Sequence, residues 1–184
     1  MRCFIAVEPP EETRKEISRL QAELKQSGAD VKWVEPGNIH LTLKFLGEID
    51  EASIASLKEA LSSTLRFSPF TMTLEGIGAF PGTTNPRVIW VGVHQGEKES
   101  KELAADVDGI CEKLGFPKEE RPFSPHLTIG RVRSRDRMAP LIKRLQVAEF
   151  RCAQPVAVDR IVLFQSVLSP KGPCYTPLAE ISLR

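Results

Sequence analysis

The chain has 184 residues, a length that predicts one compact domain or two small lobes. Its 25 Lys and Arg residues nearly balance 24 Asp and Glu residues, and the net charge of +1 excludes a protein that coats duplex DNA by charge alone. The hydrophobic content of 41% indicates a folded chain rather than a disordered one. Any contact with nucleic acid must therefore come from a local basic cleft.

The four cysteines, Cys3, Cys111, Cys152 and Cys174, show no C-x-x-C spacing, so they form neither a zinc motif nor a redox motif. We expect most of them to be buried free thiols. The N-terminal residues lack the pattern of a secretory signal, and no apolar stretch approaches the roughly 20 residues that cross a bilayer. The sequence therefore favours a cytoplasmic protein without membrane contact.

The first half of the chain alternates strand and helix patterns. Strands are predicted at residues 2–8, 40–45 and 70–74, where apolar residues run together or alternate with polar ones. Two helices separate these strands, and the first helix ends at Gly28. The apolar faces of the two helices comprise Ile17, Leu20 and Leu24, then Ile54, Leu57, Leu61 and Leu65.

The second half shows the same order of elements. Strands are predicted at 87–93, 126–129 and 158–167, and a final strand is predicted near 178–183. The Gly- and Pro-rich stretch at 76–87 is expected to form a loop between the halves. The apolar faces of the two helices comprise Leu103, Val107, Ile110 and Leu114, then Leu141, Ile142 and Leu145.

Landmark residues recur at a nearly constant interval, which indicates a duplicated unit at about 2–75 and 87–167 within a single domain spanning 1–184. We expect an α+β fold of two duplicated lobes, each with an antiparallel sheet packed by helices. The cleft between the lobes is the expected active site. The landmark pairs are Arg2 and Arg87, 85 residues apart, Gly28 and Gly115, 87 apart, and His40 and His126, 86 apart.

Two of the three histidines occupy equivalent positions in predicted strands. His40 is followed by Thr42, and His126 is followed by Thr128. Side chains two residues apart in a strand share a face, so each strand presents an imidazole and a hydroxyl together and buries the aliphatic residues between them. The third histidine, His94, belongs to no motif and is expected at the surface.

Two imidazoles and two hydroxyls suit metal-independent cleavage of a phosphodiester. Imidazole titrates near pH 6.5, so that a neutral ring can take a proton from water while a protonated ring gives one to a leaving oxygen. Threonine hydroxyls can donate hydrogen bonds to the charged phosphate oxygens. No further histidine, cysteine or carboxylate stands at ligand spacing, so we expect no metal.

The segments HLTLKFLG at 40–47 and HLTIGR at 126–131 resemble the two His-x-Thr-x motifs of the two-histidine phosphoesterases. Within these, the whole chain resembles the bacterial and archaeal RNA 2′,3′-cyclic phosphodiesterases, historically called 2′-5′ RNA ligases. The opening MRCFIAVEPP, the segment GIGAFPGTTNPRVIWVGV and the 86-residue interval carry the same resemblance.

The resemblance implies a bilobal α+β fold with both motifs in a central cleft. It also implies hydrolysis of a 2′,3′-cyclic phosphate at an RNA 3′ end to a 2′-phosphomonoester. By that analogy His40 donates a proton to the departing 3′ oxygen, and His126 accepts one from the attacking water. The residues alone leave these roles interchangeable because the halves are nearly symmetric. The expected partners are RNA 3′ ends or nucleotides with a cyclic phosphate, with no cofactor and no obligatory protein partner.

Charged candidates for substrate binding follow each motif. Strand alternation places Lys44 on the face of His40 and Thr42, where it would bring positive charge near the phosphate. Arg131 falls on the opposite face by the same count, but a bulge at the strand glycine would turn it toward the cleft as a phosphate contact.

Aromatic side chains are expected to stack on the terminal base of the RNA. The candidates are Phe4, Phe80 and Phe123. Trp90 and Phe45 are interpreted as core residues, because Trp90 lies inside an apolar strand and Phe45 alternates with Leu43.

Two other functions remain open at this point. One is 2′-5′ ligation of RNA in the same site, with a 5′-hydroxyl in place of water. The other is a non-catalytic module that binds RNA or nucleotides and keeps the cleft.

Overall fold

The computed structural model describes residues 1–184 and contains four helices and ten strands. The helices are α1 (Glu11–Lys25), α2 (Glu51–Thr64), α3 (Glu97–Lys113) and α4 (Met138–Val147). The strands are β1 (Arg2–Val7), β2 (Val31–Trp33), β3 (Leu41–Glu48), β4 (Phe70–Met72), β5 (Leu74–Phe80), β6 (Val88–Val93), β7 (His126–Val132), β8 (Val156–Val158), β9 (Arg160–Ser169) and β10 (Gly172–Ser182).

All four helices contribute their apolar faces to one hydrophobic core on one side of the main sheet. Successive residues of β1 show the division, since Ile5 belongs to this core while Phe4 and Ala6 belong to a small separate cluster on the other side. That second side carries no helix, and we call it the helix-free face. The predicted α+β class with helices packed on an antiparallel sheet is confirmed. No helix is long and apolar enough to span a membrane.

The main sheet has two halves that barely touch. One half has the strand order β10-β9-β1-β3, and the other has the order β7-β6-β5 with β2 also paired to β7. The halves are joined through the pairing of β3 with β7, whose ladder contains the single residue pair Leu41 and Leu127. Hydrogen bonds of the sheet therefore contribute little to the spacing of the two halves.

Each half of the sheet contains strands from both the N-terminal and the C-terminal part of the chain. β5, from the N-terminal part of the chain, pairs with β6, and β9, from the C-terminal part, pairs with β1. The short strands β4 and β8 form a separate two-stranded sheet between the same two parts. A half of the sheet is thus not the same as a repeat of the sequence, and the repeat boundaries at about 2–75 and 87–167 stay a prediction.

The expectation of a loop across residues 76–87 is wrong for its first part, because β5 continues to Phe80. The glycines of this segment suggested a loop, but the structure requires a glycine at position 78 for a different reason. A Cβ atom at that position would overlap the indole ring of Trp90, which pairs across the ladder from Gly78. The glycine marks a close approach between strands.

The last strand begins earlier than predicted, at Gly172, and contains Pro173 and Pro177. Proline is tolerated there because β10 is the edge strand of its half, where a missing N–H interrupts no second ladder. The short strands β2 and β8 carried too few residues to give a periodic signal.

We expect the substitution Gly78→Ala to lower the free energy of unfolding by about 1–3 kcal/mol, because the added methyl group must displace Trp90. Chemical denaturation measures this change. Gly109→Ala is the matched control, since the space around Gly109 in α3 is open and alanine favours the helix by up to about 1 kcal/mol. Equal stability of the two variants would contradict the close packing of Trp90 on β5.

Candidate active site

The two His-x-Thr motifs meet where the halves of the sheet join. His40 immediately precedes β3, and His126 is the first residue of β7. Since Leu41 and Leu127 form the pair between these strands, the two histidines flank the same junction. The sequence order of each motif places its histidine one residue before this buried leucine.

Both threonines lie on the helix-free face, as predicted. Thr42 pairs with Ala6 of the cluster on that face, and Thr128 pairs with Trp90. Residues directly opposite in a ladder share a face, so each hydroxyl points to the same side as its neighbouring histidine. The prediction that each strand presents an imidazole and a hydroxyl together is consistent with this register.

The two imidazoles are held in the same way. Nδ1 of His40 donates to the carbonyl of Asn38 at 2.6 Å, and Nδ1 of His126 donates to the carbonyl of Ser124 at 2.6 Å. A carbonyl oxygen only accepts, so Nδ1 carries a hydrogen in both rings. Nε2 is then the atom left to take up or deliver a proton, and no protein group bonds to it. This matched pair of rings is suited to acid–base catalysis.

Aromatic rings surround each histidine. The ring of Phe4 stacks on His40 with centroids 4.8 Å apart, and Tyr175 meets His40 edge-on at 5.3 Å. In the other half Phe80 meets His126 edge-on at 5.0 Å, and Trp90 lies 6.2 Å from it. These contacts orient both imidazoles, and the stacked ring of Phe4 covers one face of His40.

A bulge interrupts each motif strand after its threonine. On β3 the partners of Thr42 and Lys44 are the adjacent residues Ala6 and Ile5, so Leu43 is an extra residue. The ladder of β7 has the same irregularity at Ile129. Because each bulge shifts the alternation by one residue, the residues beyond it change faces.

The bulge explains two wrong predictions on β3. Lys44 was expected beside His40, but it is 3% exposed and its Nζ bonds Asp108 Oδ1 of α3 at 2.6 Å, on the helix side. Phe45 was expected in the core, yet it is 65% exposed and lies 6.3 Å from Phe4 on the helix-free face. The structure does not bring Lys44 to the site, and it does bring Phe45.

The same shift turns Arg131 to the helix-free face. Arg131 is exposed and pairs with Val88, three residues beyond Thr128. Its equivalent at the 86-residue interval is Phe45, so the two strands carry a cation and an aromatic ring at matching positions. The bulge expected at the strand glycine before Arg131 is present, whereas the matching bulge before Lys44 and Phe45 was not predicted.

Burial and neighbouring cations keep the His40 ring neutral. Burial lowers the pKa of His40 to about 4, the hydrogen bond to Asn38 opposes the shift, and the positive charges of Arg14 and Arg131 add to it. The action of Arg131 on the pKa of His40 is notable because the two residues belong to different halves of the sheet. Both residues lie on the helix-free face.

No cluster of three or more His, Cys, Asp or Glu side chains has the geometry to hold a metal ion. The cysteines are free, and three of the four are buried, as expected. His94 is exposed at the end of β6, also as expected.

Comparison with known proteins identifies the family. The family model described as "LigT like Phosphoesterase" matches the chain twice, at residues 7–90 and 91–175. The chain belongs to this family. An RNA 2′,3′-cyclic phosphodiesterase of Methanothermobacter thermautotrophicus is 40% identical, with 100% of this chain and 99% of that protein covered.

Solved structures share the fold over the whole chain. The Thermus thermophilus protein TT0787 gives a TM-score of 0.84 with 31% identity, covering 100% of this chain and 98% of that one. The Escherichia coli protein LigT in complex with 3′-AMP gives a TM-score of 0.80 with 27% identity, covering 99% of this chain and 97% of that one.

The aromatic candidates have different positions in this LigT-like fold. Phe80 is 38% exposed beside His126, as a stacking residue requires. Phe4 is 4% exposed and covers His40 rather than facing an open surface. Phe123 is half-buried and packs against the main core.

Sequence reasoning missed four aromatic residues of the site. Phe45 and Trp90 carried a usable signal, since they are the 86-residue equivalents of Arg131 and Phe4. Phe164 and Tyr175 carried none, because they come from the far end of the chain, where β10 brings Tyr175 to His40 and β9 brings Phe164 to Phe4.

Stability should fall in mild acid because of His40. Its pKa of about 4 in the folded protein lies below the value of about 6.5 in an unfolded chain, so the unfolded chain binds more protons between these values. We expect His40 to stabilise the protein fully above pH ~6.5 and to lose about 3 kcal/mol of that contribution as the pH falls to ~4.

The difference between the wild type and His40→Gln in urea denaturation at several pH values measures this effect. His94→Gln is the control and should retain the pH dependence of the wild type, because its ring is exposed. Parallel curves for the wild type and His40→Gln would contradict the burial of a neutral His40.

Proposed function

We propose that this protein hydrolyses 2′,3′-cyclic phosphates at RNA 3′ ends to 2′-phosphomonoesters. One observation carries the proposal: His40 and His126 flank one junction with identical Nδ1–carbonyl bonds, and each has a threonine on the same face. The relatives named RNA 2′,3′-cyclic phosphodiesterase support it over the full length of the chain. The substrate is the RNA end itself or a nucleotide with the same cyclic phosphate.

In the proposed reaction, Nε2 of neutral His126 takes a proton from water as the water oxygen bonds to phosphorus. The bond between phosphorus and the 3′ oxygen breaks, and Nε2 of protonated His40 gives its proton to that oxygen. Thr42 and Thr128 donate hydrogen bonds to the non-bridging oxygens, and Arg131 adds a positive charge beside them. The products are a 2′-phosphate and a 3′-hydroxyl, and solvent then exchanges protons with the two rings.

In this proposal His40 becomes protonated only when the substrate is bound. In the ligand-free protein burial holds the pKa of His40 at about 4, so the ring is neutral near pH 7. A phosphate anion close to Nε2 favours the charged form of the ring and offsets the positive charge of Arg131. His40 thus becomes a proton donor when the phosphate is bound.

The base next to the cyclic phosphate would stack on an exposed ring. Phe80 and Phe45 offer such rings on the helix-free face, one in each half of the sheet. With a net charge of +1, the protein lacks the charge to bind a long RNA backbone and would recognise the terminal nucleotides. The cytoplasm is the compartment in this proposal, which the free thiols of the four cysteines favour.

We expect His40→Ala and His126→Ala each to lower kcat by about 10²–10⁴-fold on an oligonucleotide that ends in a 2′,3′-cyclic phosphate. The assay contains EDTA, and mapping of the 3′ end identifies the product. His94→Ala is the matched control and should keep wild-type turnover. Unchanged turnover in both active-site variants would overturn the assignment, and loss of wild-type activity with EDTA would overturn metal independence.

Product mapping and a binding measurement distinguish the other two functions from hydrolysis. Joining of a 5′-hydroxyl oligonucleotide through a 2′-5′ bond would indicate ligation in the same site. Binding of the 2′-phosphate end without turnover would indicate a non-catalytic module.

The protonation of His40 gives a further expectation. Addition of a nucleoside 2′-phosphate should raise the pKa of His40 by about 1–3 pH units, as an opposite charge at close range does. An NMR titration of the three histidine rings measures it, and kcat should follow a bell-shaped curve around neutral pH. A pKa of His40 that does not rise when the nucleotide is added would assign the donor role to His126 instead.

A further inference from the structure

The junction between the two halves of the sheet needs more support than its strands provide. β3 and β7 share the single residue pair Leu41 and Leu127, although the proposed reaction requires His40 and His126 to reach one phosphate. Two buried polar side chains on the helix side each bond the strand of one motif and the segment that leads to the other motif.

The first is Gln21 on α1, whose side chain is almost wholly buried. Its Nε2 donates to the carbonyl of Val34 at 2.8 Å and to the carbonyl of Ile129 at 2.8 Å. Val34 lies in the segment that leads from β2 to His40, and Ile129 is the bulge residue of β7. One amide group therefore connects the approach to the first motif with the strand of the second.

The second is Asp108 on α3, the equivalent of Gln21 at the 87-residue interval of the helix-ending glycines. Its Oδ1 accepts from Nζ of Lys44 at 2.6 Å, and its Oδ2 accepts from the backbone N–H of Glu119 at 3.3 Å. Lys44 follows the bulge of β3, and Glu119 lies in the segment that leads to His126. Asp108 thus makes the same connection in the opposite direction.

Lys44 strengthens this second connection. Its side chain is 2% exposed, and Nζ also donates to the carbonyl of Pro117 at 2.6 Å. Burial alone would lower the pKa of Lys44, but the bond to Asp108 and the charges of Asp108 and Glu119 outweigh burial and raise it. Lys44 is therefore charged at neutral pH, and the pair makes two further hydrogen bonds, to the carbonyl of Pro117 and to the N–H of Glu119.

We propose that Gln21 and the Lys44–Asp108 pair are positioning residues that hold the two His-x-Thr motifs at the distance the reaction requires. The inference rests on the proposed function. None of the three touches the helix-free face, so each acts through the bulge of one motif strand and the segment before the other. A misplacement of reacting groups by about 1 Å can cost about 10²-fold in rate.

The test uses Gln21→Met and the double variant Lys44→Met/Asp108→Leu. Methionine keeps the volume of Gln21 and removes its two bonds. The double variant replaces the ion pair with apolar groups, which preserves stability better than leaving one charge buried alone. We expect kcat on a 2′,3′-cyclic mononucleotide to fall about 10-fold or more in both variants, with KM changed less than about 3-fold.

The histidine rings provide a readout that does not depend on activity. The imidazole NMR signals of His40 and His126 should both shift in each variant, while exposed His94 serves as an internal reference. Leu61→Ala on α2 is the stability control, since a cavity there costs about 2–5 kcal/mol without removing either connection. Assayed well below its melting temperature, this variant should keep the wild-type kcat and both imidazole signals.

The possible results distinguish a failure of the positioning role from a failure of the proposed function. An active wild type whose variants keep kcat and both signals overturns the positioning role and leaves the proposed function standing. A kcat loss in Leu61→Ala equal to that of the other variants also overturns it, because loss of stability would then explain the effect. An inactive wild type whose variants shift both signals supports the positioning role and overturns the proposed function.

Discussion

The bulge in each motif strand decides which side chains meet at the active site. Strict alternation after Thr42 and Thr128 would send Phe45 and Arg131 toward the helices. Instead the bulges at Leu43 and Ile129 turn both residues to the face of the histidines. A bulge interrupts ladder bonds and leaves backbone groups that need other partners. The carbonyl of Ile129 has two, the N–H of Val34 and the amide of Gln21.

The two predicted repeats share the proposed acid–base groups but differ in the residues around them. His and Thr recur at 86 residues, whereas Lys44 corresponds to Gly130. The difference has a steric cause, because a Cβ atom at Gly130 would lie 2.9 Å from both Val31 and Trp33 of β2. No strand corresponds to β2 in the other half, and there the long side chain of Lys44 extends to α3 instead. One short strand thus accounts for the most visible asymmetry between the motifs.

The parts of the site that sequence predicts are the local ones. Helical periodicity, the apolar strands and the His-x-Thr pairs depend on neighbours within a few residues, so the helices and the face of Thr42 and Thr128 followed from the sequence. The bulge at Leu43 has no residue signature, and missing it exchanged the predicted places of Lys44 and Phe45. The position of Tyr175 could not be predicted from the sequence because it depends on strand order. β10 carries Tyr175 and pairs with β9, which in turn pairs with β1 from the other end of the chain.

In the proposed reaction, the different surroundings of the two histidines assign the donor and acceptor roles that the duplicated motif leaves undecided. His40 is enclosed by Phe4 and Tyr175, and the charges of Arg14 and Arg131 oppose its protonation. A phosphate that neutralises the charge of Arg131 removes part of that opposition, and by linkage a proton on His40 must strengthen phosphate binding by the same factor. In the proposed reaction, proton and substrate therefore enter the site together. A donor charged only in the complex spares the empty site a buried cation pair, whose desolvation would destabilise the fold.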